Sequence, residues 1–148
     1  MSQALEICGH VQQPGAFDFE ALTRLPGQIE DIATMIPGRT GSGVRLVSLL
    51  DAVKPHPEAT HLTVESADGS FSASVSLVAV VESAVVLYRL GSQVLPTQQG
   101  GPFRFLITDA QTCATGGADL CANVKFVGRI ALSAGPGRDT RPMERNGA

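Results

Sequence analysis

Apolar and polar positions divide this chain into many short strands and a few short helices. Leu5 to Val11 alternates loosely and stops at Gln13-Pro14-Gly15, a strand followed by a turn. Phe17 to Leu22 contains acidic residues and runs into Pro26-Gly27, which predicts a short helical turn. Gln28 to Met35 predicts a second strand, and Pro37 to Gly43, with three glycines and a proline, predicts a loop. From Val44 to Val53 the spacing changes. Leu46, Leu49, Leu50 and Val53 fall at i, i+3, i+4 and i+7, the apolar face of a helix that Pro55 and Pro57 end.

The second half is richer in strands. Leu62 to Val75 alternates on both sides of Ala67-Asp68-Gly69-Ser70, the pattern of a β-hairpin. Leu77 to Val81 predicts a short helix, and Ala84 to Leu90 a buried strand, continuous in its apolar character. A turn and loop fill Gly91 to Gly101. Phe103 to Ile107 and Val124 to Leu132 are the last two predicted strands. Many strands with few short helices predict an α+β class. The expected organisation is one domain over 1–134 and a disordered polar tail over 135–148, where almost nothing apolar remains.

Composition narrows the function classes. In 148 residues, 43% are hydrophobic and 17% charged, so the chain can bury a core. The net charge is −3 and there is no run of Lys or Arg, which argues against nucleic acid and anionic membrane as partners. The longest apolar run, Leu77 to Val81, is broken by Glu82 and is too short to span a bilayer. The first residues lack the basic and apolar regions of a secretory signal, so the cytoplasm is the expected compartment.

Three segments could carry chemistry. In Gln98-Gln99-Gly100-Gly101-Pro102-Phe103-Arg104, the paired glycines allow close approach of the backbone to a ligand, and Arg104 offers a planar fork for phosphate or carboxylate. The same segment is equally a glycine-rich turn opening a strand. In Val124 to Leu132, alternation places Lys125, Val127 and Arg129 on one strand face, opposite Val124 and Phe126. An ordinary half-exposed strand reads the same way. Cys113 and Cys121 flank a glycine-containing loop and could form a disulfide, ligate a metal or be unrelated. A four-ligand metal site would need two more donors. Cys8 and His10 are candidates, since Cys-x-His spacing on a strand points both side chains to one face. His56 and His61 read as surface residues beside a turn.

The order of segments carries more than any one of them. Gly43-Val44-Arg45-Leu46 with Leu49-Leu50, then Ser66-Ala67-Asp68-Gly69, Leu95-Pro96, Gly100-Gly101-Pro102-Phe103-Arg104, and Val124-Lys125-Phe126-Val127-Gly128-Arg129-Ile130 follow one another. Together they resemble the molybdopterin-binding domain of the sulfite oxidase-type oxidoreductases, over about Leu5 to Leu132. The resemblance implies that family's mixed α+β fold and a molybdopterin cofactor, a pterin dithiolene with a phosphate that holds molybdenum. It implies that Gly100 and Gly101 meet the cofactor as backbone donors and that Arg104 and Lys125 contact it as charged donors. It also implies a molybdenum-binding cysteine ahead of the Gly43-Val44-Arg45-Leu46 segment. Ile32 to Ser42 contains no cysteine here, and its Met35 thioether carries no charge to neutralise a high-valent metal. Gln99 stands where the family often has histidine. The readings that follow are an oxidoreductase-like molybdopterin-binding domain, catalytic or degenerate, a non-enzymatic module that binds a small molecule or partner chain, or a thiol or metal site at Cys113 and Cys121.

Overall fold

A computed structural model describes residues 4–35, 40–107, 124–135 and 137. Two five-stranded sheets organise the described residues. The first has the order β2 (Gly15–Asp18), β1 (Ala4–Gly9), β10 (Val127–Ser133), β5 (His61–Ser66) and β6 (Ser72–Ser76). β1 and β10 run parallel, with Ile7 opposite Ile130, and the other pairs in this sheet are antiparallel. The second sheet has the order β3 (Gln28–Ile29), β4 (Ser42–Arg45), β7 (Ala84–Leu90) and β8 (Gln93–Val94), and β9 (Arg104–Ile107) also pairs with β7.

The helices are short. α1 (Phe19–Thr23) is capped by Asp18, whose carboxylate accepts from the Ala21 amide at 2.8 Å. α2 (Leu46–Val53) buries Leu46, Leu49, Leu50 and Val53, and Lys54 closes it in the left-handed region at φ 57°. α3 spans Leu77–Val80. None is long and apolar enough to cross a membrane, among the described residues.

The main core lies between the sheets, where Leu5, Ile7, Leu62, Val64, Ile130 and Leu132 meet Val44, Val86, Tyr88 and Phe105 with α2. A smaller core of Ile29, Ile32, Val85, Leu87, Leu95 and Leu106 covers the other face of the second sheet. β7 therefore has apolar neighbours on both faces, which explains its unbroken apolar sequence. The hairpin forms as expected, with Leu62 opposite Val75. Its turn is held by Asp68, which accepts from the Ser66 hydroxyl and from the Ser70 amide and hydroxyl. Those bonds, Ser70's first, lower its pKa to about 2.

Three expectations are corrected. Gln28 to Met35 is a strand only at Gln28–Ile29, because the Asp31 carboxylate accepts from the Ala33 amide and starts a 3₁₀ turn over Ile32–Thr34. Val44 and Arg45 belong to β4, opposite Val86 and Val85, and the helix begins after them at Leu46. The last strand begins at Val127 and not at Val124, since Phe126 takes a left-handed φ of 56° that interrupts extended backbone. The expected tail falls almost wholly outside the described residues.

Candidate functional site

The glycine loop is fixed from three directions. A 3₁₀ turn over Thr97–Gln99 ends at Gly100, which takes φ 90°, and the Gly101–Pro102 peptide is cis. Within the loop, the Gly100 amide donates to the Thr97 carbonyl at 2.9 Å and the Gly101 amide to the Pro96 carbonyl at 3.0 Å. Across it, the Phe126 amide donates to the Gly100 carbonyl and the Val127 amide to the Phe103 carbonyl, both at 2.8 Å. These bonds sew the loop to the start of β10. Both glycine amides are thus engaged inside the loop. What their lack of side chains provides is room.

That room is occupied at Gly100 by two cationic side chains. A Cβ built there would lie 2.9 Å from Arg104 Cδ and 3.0 Å from Lys125 Cγ. Arg104 and Lys125, 21 positions apart, thus converge over one glycine. Arg104 is half-buried at the start of β9, and its Nη1 donates to the Gln99 carbonyl at 3.1 Å. Lys125 is exposed. At Gly101 a Cβ would overlap the Leu95 carbonyl, so no larger residue fits that turn.

Lys125 and Arg129 do not share the face that alternation predicts. The turn at Phe126 and the register shift between Val127 and Arg129 separate them. Arg129 lies on the outer face of the first sheet, 3.6 Å from both Glu6 and Glu65, with its Nε donating to Cys8 Sγ at 3.4 Å. The Cys8 contact, more than the two carboxylates, holds the Arg129 guanidinium above its ordinary pKa. A cleft of about 690 Å³ opens between this face and the glycine loop, lined by Glu6, Glu65, Gly101, Phe103, Phe126 and Arg129.

The expected Cys8 and His10 pairing also fails. Gly9 takes φ 89° and ends β1, so Cys8 meets Arg129 while the His10 ring packs edge-on against His56 at 6.2 Å. No three His, Cys, Asp or Glu residues gather as metal ligands among the described residues. Cys113 and Cys121 lie outside them. One contact had no signal in the sequence: Thr40 Oγ1 donates to Gln99 Oε1 at 2.9 Å, across 59 positions.

Comparison with known proteins bears on this arrangement. Residues 40–139 match the oxidoreductase molybdopterin binding domain family. No curated protein sequence matches the chain. Its fold is similar to the crystal structure of the sulfane dehydrogenase SoxCD from Paracoccus pantotrophus, at 22% identity and a TM-score of 0.64. The match covers 90% of this chain and 39% of that one, so this chain spans well under half of its structural neighbour. With a family match over more than half its length, holding both the glycine loop and Lys125, the chain belongs to the oxidoreductase molybdopterin-binding domain family.

Proposed function

We propose that this chain binds molybdopterin over the Gly100–Gly101 turn, with Arg104 and Lys125 taking the cofactor's anionic and oxygen groups. The observation that carries the reading is the convergence of both cations on Gly100, where even one Cβ would press on their stems. A guanidinium fork suits a phosphate, and an ammonium suits a phosphate or a pterin oxygen, because both give charge-assisted hydrogen bonds. Gly101, against Leu95, keeps the turn thin so that a ligand can lie close to its backbone. When bound, the group would supply molybdenum held by its dithiolene, for two-electron redox chemistry.

These residues fit the organic part of the cofactor. They supply no thiolate for its metal: Ile32 to Ser42 has no cysteine, and the Cys8 thiol is engaged by Arg129. The reading is therefore one of cofactor binding, with no cysteine in the segment where the sequence resemblance implies the metal's ligand.

The test is elemental analysis of untagged protein from a host that makes molybdopterin, together with fluorescence of pterin released by acid oxidation. The expected result is near-stoichiometric pterin in the wild type and reduced pterin in Arg104→Ala, where a lost charge-assisted hydrogen bond weakens binding about tenfold or more. Wild-type protein without pterin, or undiminished pterin in both Arg104→Ala and Lys125→Ala, overturns the reading. Zinc or iron in the same measurement would instead favour a thiol site involving Cys113 and Cys121.

A further inference from the structure

Two loops that are remote in sequence meet beside the proposed cofactor site, and they are joined at two levels. The lower joint is Leu95, which is buried in the smaller core. Gly41 packs on its side chain, where a Cβ would lie 3.5 Å from Leu95 Cδ1, and Gly101 packs on its backbone. Gly41, just ahead of β4, and the glycine loop thus rest on one residue. Gly41 is itself anchored, since its carbonyl accepts from the Ile32 amide at 2.9 Å.

The upper joint is the bond from the Thr40 hydroxyl to the Gln99 side chain. Gln99 is held on its other side too, because its carbonyl accepts from Arg104. A continuous path therefore runs from Thr40 through Gln99 to Arg104. Leu95 fixes the separation of the loops at their base. Only the Thr40 bond, among the described contacts, restrains Gln99 from the β4 side.

We propose that Thr40 is a positioning residue that acts through Gln99: their bond latches the two loops together, steadies Arg104 and slows release of the bound cofactor. The link to cofactor release rests on the molybdopterin reading above, whereas the latch itself does not. The bond is exposed, so its contribution is modest, and local opening of the loop, a smaller event than global unfolding, is where its loss shows first.

The test compares Thr40→Val, Thr40→Ser, Gln99→Leu and the Val/Leu double variant in cofactor-loaded protein. Pterin release into excess buffer is the first readout, and thermal unfolding is a control. Thr40→Val is expected to release pterin about three- to tenfold faster, the range set by one lost hydrogen bond. Thr40→Ser should restore the wild-type rate. The double variant should match Gln99→Leu alone, since both changes remove the same bond. Wild-type release from Thr40→Val, or simple addition of the two single effects, overturns the latch. Pterin-free wild-type protein would overturn the binding reading instead. The latch is then judged by amide exchange at Gly100 and Gly101. Faster exchange in Thr40→Val that Thr40→Ser reverses supports it, and unchanged exchange sinks it.

Discussion

Lys125 and Arg129 are four positions apart, one on each side of a left-handed turn, and the domain gives them opposite surroundings. Arg129 stands between two carboxylates and a thiol on a sheet face, where its charge is already compensated. Lys125 leans over a glycine beside a second cation, and no carboxylate lies within ion-pair distance among the described residues. A cation whose field is cancelled by neighbours ties strands together. One set beside another cation gains most from an incoming anion. Phe126 makes the difference, because its φ of 56° turns the chain between them and ends the alternation that would have aligned them.

Substitutions can break this comparison, and the largest effect is expected at Gly100. Gly100→Ala puts a Cβ at φ 90° against the stems of both cations. It should cost roughly 1–2 kcal/mol in stability from the left-handed backbone alone. Pterin occupancy should fall further than in either cation variant, measured by fluorescence of the released pterin. Lys125→Glu comes next. Reversing a charge beside Arg104 should lower occupancy more than Lys125→Ala does, while the thermal midpoint stays close to wild type.

Arg129→Ala is the counterpart. It should leave pterin occupancy unchanged and shift denaturant unfolding little, as expected for exposed ion pairs. A loss of cofactor as large as that of Lys125→Ala would end the division of labour. The smallest effect belongs to Asp68, whose depressed pKa of about 2 reflects the Ser70 and Ser66 hydrogen bonds. A carboxylate held below its ordinary 3.8 stabilises the fold fully above that value and loses its contribution as pH falls through about 2. Wild type and Asp68→Asn should accordingly differ by a constant amount above about pH 5 and converge near pH 2.

The legible parts of the fold were those with local periodicity. The β5–β6 hairpin and the apolar face of α2 follow from spacing alone, because alternation and the i, i+3, i+4 pattern each need only neighbouring residues. β7 could be read as a buried strand from its continuous apolar run, and its packing on both faces came from the structure. The errors fell where a single side chain or dihedral redirects the backbone: Asp31 at the 3₁₀ turn, Gly9 at the end of β1, and Phe126 before β10. Each breaks a period that a sequence window carries straight through.

The candidate site divides in the same way. The sequence by itself determined the α+β class, the family resemblance and the residue types at Gly100, Gly101, Arg104 and Lys125. Only the tertiary structure decided that Arg104 and Lys125 meet over one glycine, that the glycine amides are already bonded within their loop, and that Arg129 belongs elsewhere. The Thr40–Gln99 bond belongs to that second class as well. Local pattern reports how a residue relates to the next few positions, whereas the Arg104–Lys125, Thr40–Gln99 and Cys8–Arg129 contacts are set by how two sheets and their loops pack, over separations of 21 to 121 positions.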